Sequence, residues 1–478
     1  MKKSSAKPSS THRIEKDSLG EKQIPHEVYY GVQTARAVDN FPISGWRPHP
    51  AFVDATVLIK KAAATVHGQL GLIPKKHVAA IVRACDEILA GQYREHFVVD
   101  VFQAGAGTSH HMNVNEVLAN RANEMLGGKR GAYSPINPND HVNMAQSTND
   151  VIPTAIRISA LLLKEDLLKA LTQLQKAFAK KAKAWDKIVK SGRTHLQDAT
   201  PIRLGQEFGG YASCLASHLA WVKEAFQPLT SLGLGGTAVG TGINSHPKYR
   251  PMVAKELGRL IGEPLKPAKD YFEAMQSMSP FVHLSNALRN LTLDLIRIAN
   301  DLRLLASGPR TGLYEIVLPA VQPGSSIMPG KVNPVLAEMT DMAGFFVLGL
   351  DTTIAYASQA GQLELNVMMP IIAYSLSWEL SILSNTMKAL ATKCVDGIVA
   401  FPDRCRYYAE NSVSIATVLN PILGYAATAE IVKKAVATGK PLRELLVQSN
   451  LTDAQIEQVF DLYDSTYPNL KGGTKAGG

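Results

Sequence analysis

The segment Gly324-Ser325-Ser326-Ile327-Met328-Pro329-Gly330-Lys331-Val332-Asn333-Pro334 gathers the residues best suited to chemistry. Its glycines and prolines break regular structure, so it is a loop, and it lies between two apolar-periodic runs that read as helices. Its polar groups are two hydroxyls, one ammonium and one carboxamide. That set can grip a carboxylate and put a small nucleophile or base beside it. A phosphate cradle is excluded. Such a loop needs G-x-x-x-x-G-K-[ST], whereas here five residues separate Gly324 from Gly330 and Val332 follows Lys331, leaving no hydroxyl for magnesium.

Three more polar stretches stand where helices begin or turn. Gly105-Ala106-Gly107-Thr108-Ser109-His110-His111-Met112-Asn113 is a glycine-rich loop feeding a helix that Gly127-Gly128 ends, and a helix N-terminus offers free N–H groups to an anion. The adjacent His110 and His111 could be pH-sensitive or metal-binding, but an adjacent pair without a carboxylate partner does not by itself make a metal site. Gln146-Ser147-Thr148-Asn149-Asp150, after the turn-forming Asn137-Pro138-Asn139-Asp140, is read equally as a helix cap and as hydroxyls and an amide set at a positive helix end. Gly192-Arg193-Thr194-His195-Leu196-Gln197-Asp198-Ala199-Thr200-Pro201 is a polar turn between long helices, with Pro201 suited to a first helical turn.

These four stretches together resemble the fumarase/aspartase superfamily, whose members release fumarate from a succinyl skeleton. The resemblance runs from about Arg13 to the C-terminal region, and the 324–334 loop carries it most specifically. It implies a site made of Thr108, Ser147, Thr148 and Ser326 on one substrate carboxylate and Lys331 and Asn333 on the other. The resemblance also implies Thr194 and His195 nearby, Asn149, with His195 as an alternative, holding the leaving amine, and Glu338 orienting His195. Ser325 is then the base that removes a proton beside a carboxylate, activated by loop N–H groups and Lys331. No metal ligand and no cofactor is required, because the substrate carboxylate serves as electron sink; the resemblance leaves Mg2+ activation open.

Within the family, Asn137, the Ser147-Thr148 pair, Gly105 to Ser109 and Gly361-Gln362-Leu363-Glu364-Leu365-Asn366 are closer to the aspartases than to the fumarases. The chain departs from the aspartase pattern at His111 and Met369, where Asn and Glu are usual. Elimination of ammonia from L-aspartate is therefore expected, with hydration of fumarate to malate as the alternative.

Such dispersed residues need a scaffold of long elements. Apolar residues at three- and four-residue spacing predict helices over 51–72 and 75–89, and a long helix from about Thr154 to Trp185. Leu284, Leu288, Leu291, Leu295, Ile298 and Leu302 form a stripe made for packing against another helix. The runs 334–350 and 370–390 are apolar on more than one face. Residues 14–46 hold Gly20, Pro25, Gly31, Pro42 and Gly45 and read as extended or turning structure. The expected organisation is a mainly α, three-domain fold: a disordered tail over 1–12, a mainly helical domain over 13–146, a central long-helix bundle over 147–403 and a small helical domain over 404–478. The resemblance implies a homotetramer built on that bundle, with active sites shared between subunits.

The 478 residues, 46% hydrophobic, can bury a large core. Cys85, Cys214, Cys394 and Cys405 are too scattered for a thiolate zinc site or a disulfide framework, which fits a reducing cytoplasm. The formal charge is +9, but Lys and Arg are interspersed with acids, so neither nucleic acid nor a membrane is an expected partner. The excess positive charge would help draw in a dicarboxylate.

Overall fold

A computed structural model of the chain describes residues 11–468. The tail expected over 1–12 lies outside the described residues apart from Thr11 and His12, where the first strand begins.

The chain forms two compact units, each assembled from three stretches of sequence. One unit holds the described residues up to Leu168 with Trp221–Asn290 and Phe345–Leu383; the other holds Lys169–Ala220, Leu291–Gly344 and the described residues from Ser384 onward. The protein is mainly helical, as expected.

In the first unit an antiparallel hairpin, β1 (His12–Asp17) and β2 (Gly20–Pro25), leads into α1 (Val32–Asn40), α2 (Pro50–Gln69), α3 (Lys75–Leu89) and α4 (Thr108–Met125). The expectation of purely extended structure over 14–46 is corrected by α1, which fits between Gly31 and Pro42. Gly31 at its N-cap has no side chain to satisfy the first N–H groups. Glu116, fully buried in α4, does so instead, accepting from Gly31 N at 2.8 Å, Gln33 N at 2.9 Å and Thr34 N at 3.1 Å. In α3, Ile81, Ala84, Cys85 and Ile88 recur at helical spacing and join Val53 and Val57 of α2 and Val114 and Leu118 of α4 in one core.

The next helix, α5 (Thr148–Ala184), starts earlier than predicted and carries Pro153 inside. In the second unit it is followed by an antiparallel hairpin, β3 (Val189–Thr194) and β4 (Gln197–Arg203). The predicted turn between helices is therefore a strand pair, and Pro201 lies in β4 rather than in a first helical turn. A buried charge network pins this hairpin. Glu315, with no exposure, meets Arg193 at 3.0 Å and Lys190 at 3.2 Å, and Lys190 also meets Glu207 at 3.1 Å.

Helices α6 (Leu204–Ala225), α7 (Tyr249–Ile261), α8 (Tyr271–Gln276), α9 (Ser279–Leu305), α10 (Val335–Gln359) and α11 (Met369–Lys393) complete the long-helix part. The predicted stripe of α9 is buried along its whole length. Gly344 of α10 packs where a Cβ would come within 2.7 Å of Ile296 of α9, so that helix crossing needs a residue without a side chain. Beyond these lie α12 (Pro402–Asn411), α13 (Asn420–Leu423), α14 (Tyr425–Thr438), α15 (Leu442–Val447) and α16 (Asp453–Phe460), the shorter helices predicted after Asp403. Ile415, Leu419, Leu442, Leu446, Ile456 and Val459 form the core beneath them. Among the described residues no helix is long and apolar enough to cross a membrane.

Candidate active site

The 324–334 loop is closed at its base by two hydrogen bonds. Gly324 N donates to Lys331 O at 2.9 Å, and Asn333 Nδ2 donates to Gly324 O at 2.6 Å. A Cβ on residue 324 would lie 2.5 Å from Lys331 O, so this closure requires glycine. Inside the loop Ser325 Oγ accepts from Ile327 N at 3.2 Å and Met328 N at 3.0 Å. The serine oxygen thus accepts from two N–H donors, contacts that favour its anion over its neutral form. Ser326 and Lys331 are exposed, and Lys331, Asn333, Arg303, Ser307 and Tyr314 are among the residues lining a cavity of about 660 Å3.

Thr194 ends β3, and His195 and Leu196 alone join it to Gln197. Both linking residues are left-handed, His195 at φ 55° and Leu196 at φ 61°. A two-residue hairpin turn with positive φ at both positions ordinarily uses Asn-Gly or Asp-Gly; an exposed Leu there is strained. Strain of this kind collects where a side chain must be aimed. Glu338 lies in the first turn of α10, and no hydrogen bond joins it to His195 within this chain.

Thr108, Ser147, Thr148 and Asn149 belong to the other unit. Thr108 opens α4 behind Gly107, whose φ of 93° makes the sharp entry, and no side chain caps that helix. Ser147 Oγ accepts from Asn149 N at 3.2 Å. Asp150, fully buried, holds the segment by accepting from Ser147 N at 2.9 Å, Gly235 N at 2.9 Å and Thr237 N at 3.0 Å; burial pushes its carboxyl up to about 6. Asn149 Nδ2 donates to Ala238 O at 2.8 Å, which turns Oδ1 away from that carbonyl and leaves it to accept.

The paired histidines do not act as a pair. His110 stacks on Phe52 at 4.5 Å and meets Thr56 Oγ1 at 3.1 Å, and burial pushes its imidazole down to about 3. His111 lies 2.6 Å from Lys60 Nζ through Nε2 and 2.8 Å from Thr148 Oγ1 through Nδ1, and burial, with Lys60 beside it, holds it well below the usual histidine range. Both are therefore neutral polar groups of the interior.

Among the described residues Cys214, His218 and Asp294 have potential ligand atoms within 4.8 Å of one another. His218 Nε2 is 2.7 Å from Asp294 Oδ2, and the Arg297 guanidinium is 3.1 Å from Oδ1, so the carboxylate already has cationic and hydrogen-bonded partners. A thiol and an imidazole are also poor ligands for Mg2+, which prefers oxygen.

The sequence-predicted residues thus divide between the units. Ser325, Ser326, Lys331 and Asn333 share one loop, Thr194 and His195 share one hairpin end, and Ser147, Thr148 and Asn149 share one helix start. Sequence reasoning missed Asp150 as the clamp beneath Ser147 and missed Lys60 altogether. Lys60 continues the buried phase of Val53, Val57 and Ala64 on α2, a lysine where the periodicity demands an apolar residue. That mismatch was legible.

Comparison with known proteins gives consistent matches. Residues 20–349 match the family described as Lyase, and residues 415–464 the one described as Fumarase C C-terminus. The aspartate ammonia-lyase of Bacillus subtilis (strain 168) is 47% identical over 96% of this chain and 97% of its own length. That of Escherichia coli (strain K12) is 44% identical over 97% of this chain and 98% of its own. A crystal structure described as fumarate lyase:delta crystallin from Brucella melitensis bound to cobalt shares 47% identity with a TM-score of 0.92, over 96% of this chain and 100% of that one. The class II fumarase of Schistosoma mansoni shares 36% identity with a TM-score of 0.92, over 96% of this chain and 99% of its own.

Proposed function

The chain belongs to the lyase family that includes the aspartate ammonia-lyases, and from that membership we propose that it converts L-aspartate to fumarate and ammonia. In this reading Ser325, as its alkoxide, takes the proton from the carbon beside one substrate carboxylate, and the electron pair moves into that carboxylate. The doubly charged aci-carboxylate is held by Thr108, Ser147, Thr148 and Ser326. The pair then returns to form the carbon–carbon double bond, and the amine leaves with the electrons of its bond to carbon. Lys331 and Asn333 fix the second carboxylate, with Thr194 and His195 nearby; Glu338, which makes no hydrogen bond to His195 within this chain, would orient the imidazole from a neighbouring subunit. Preorganised donors of this sort are the main means of stabilising such an intermediate.

The observation that carries the mechanism is the Ser325 oxygen accepting from Ile327 N and Met328 N. A free serine hydroxyl is far too weak an acid, and donors already in position lower the cost of its ionisation without reorganisation. For the leaving group, Asn149 Oδ1 is the useful atom, because an ammonium needs an acceptor. The substrate carboxylate is the electron sink, so the reaction as drawn uses no cofactor.

We further propose a cytoplasmic homotetramer whose sites combine segments of different subunits. Met342, Phe345, Phe346 and Tyr356 of α10 are exposed at spacings that put them on one helix face, an apolar stripe suited to a second subunit. The deciding experiment follows fumarate by ultraviolet absorbance, with purified protein on L-aspartate and then on malate. Fumarate and ammonia from aspartate are expected. Efficient malate dehydration with no ammonia from aspartate would replace this reading by a fumarate hydratase.

A further inference from the structure

We infer that Lys60 and His111 are positioning residues that commit the Thr148 hydroxyl to donating its proton towards the substrate carboxylate. The inference rests on the proposal that Thr148 contacts substrate.

Lys60 has no exposure and yet, among the described residues, no carboxylate within hydrogen-bonding distance. Its Nζ has three neutral partners: His111 Nε2 at 2.6 Å, Asn143 Oδ1 at 2.9 Å and Gln146 Oε1 at 2.9 Å. The orientation of both amides is fixed from behind. Asn143 Nδ2 donates to Gln146 O at 3.3 Å, and Gln146 Nε2 donates to Val142 O and Met144 O, each at 3.1 Å. Backbone carbonyls only accept, so the amide oxygens must be the atoms facing Lys60.

An ammonium carries three N–H bonds, and two go to these oxygens. The third points at His111 Nε2, which must then present its lone pair. A neutral imidazole has one proton, so it sits on Nδ1 and is donated to Thr148 Oγ1 at 2.8 Å. The threonine oxygen has thereby accepted, and its own proton remains to be given elsewhere. A threonine in a helix commonly donates back to a carbonyl of the preceding turn, as Thr154 does to Asp150 O at 2.7 Å. Thr148 makes no such bond among the described residues.

Two consequences follow for the reaction. The hydroxyl is a donor before substrate arrives, so no rotor has to be reoriented as the second negative charge develops. While Lys60 holds its proton, a buried positive charge also stands behind it, polarising the chain of bonds towards an anion in a medium where charges are weakly screened. Thr148 lies at the start of α5, whose dipole acts in the same sense.

The test is a double-mutant cycle on the full-length protein at about pH 6, where Lys60 keeps its proton, following fumarate from L-aspartate. Thr148→Val should lower kcat/KM by about a hundredfold and His111→Leu by about tenfold, whereas the double variant should be no worse than Thr148→Val alone. His111→Asn, which keeps an N–H near the position of Nδ1, should recover activity to within about threefold of wild type. Multiplying losses in the double variant would overturn the inference, since His111 would then act through something other than Thr148. An unchanged kcat and KM in Thr148→Val would instead overturn the placement of Thr148 at substrate. Should His111→Leu fail to fold, neutron diffraction of the wild-type protein decides the point: a proton on His111 Nδ1 is expected, and one on Nε2 would refute the relay.

Discussion

Asn333 Nδ2 donates to Gly324 O at 2.6 Å, tying the two ends of the 324–334 loop where a side chain on residue 324 would strike Lys331 O. Gly324→Ala must therefore open the loop. The expected outcome is a loss of at least about a hundredfold in kcat/KM, near 2.7 kcal/mol, with little change in thermal stability, because the loop is largely exposed. Steady-state kinetics beside a melting curve check this, and activity within about threefold of wild type would show that the closure is dispensable.

Removing the Ser325 hydroxyl deletes the proposed base but almost none of the core. Ser325→Ala should fold, assemble and bind substrate, yet lose nearly all turnover. If more than about a tenth of the activity survives, a barrier change below about 1.4 kcal/mol, another group takes the proton.

The hairpin end offers a test of strain that is independent of chemistry. Leu196 is left-handed at φ 61° and 71% exposed, so Leu196→Gly removes a steric penalty and little burial. Glycine gives back some of this through the freedom of the unfolded chain. Denaturant unfolding should show stability unchanged or raised by up to about 1 kcal/mol. A loss larger than that would mean that Leu196 is packed in the assembled protein.

Lys60 sets a pH dependence of known sign. Burial pushes its ammonium from 10.5 down to about 7, opposed by Asp150 and Cys85. His67, His110 and His111 around it are themselves pushed down by burial and by Lys60. Between about 7 and 10.5 the unfolded chain keeps the Lys60 proton while the folded chain has released it, so this group adds stability as pH rises. Lys60→Met should flatten that rise, by at most about 1.4 kcal/mol per pH unit. Denaturation curves for both proteins at pH 7, 8, 9 and 10 measure it, and parallel profiles would contradict the assignment.

What could be seen in the sequence was local. The loop at 324–334, the hydroxyls before α5 and the leucine stripe of α9 each announce themselves within a few residues. The features that escaped depend on distant partners. Helix α1 is capped by Glu116, which lies far along the chain. The β3–β4 turn lacks the usual Asn-Gly because His195 and Leu196 occupy it, and Glu315 pins the hairpin from over a hundred residues away. Lys60 shows both sides of the matter: its misfit to the apolar pattern was visible, but its link to Thr148 through His111 was not.

The two N–H groups that fold the loop around Ser325 Oγ have a thermodynamic corollary. Donors that prefer the anion to the alcohol must themselves be held more firmly when the anion forms, by 1.36 kcal/mol for every unit by which they lower the serine's pKa. With Ser325 as base, loss of its proton therefore tightens the segment Ser325 to Met328, and proton capture from substrate loosens it. The order of the loop becomes a function of the protonation state of one oxygen, and with Ser325 as base it falls at the first step of the reaction, before the amine leaves.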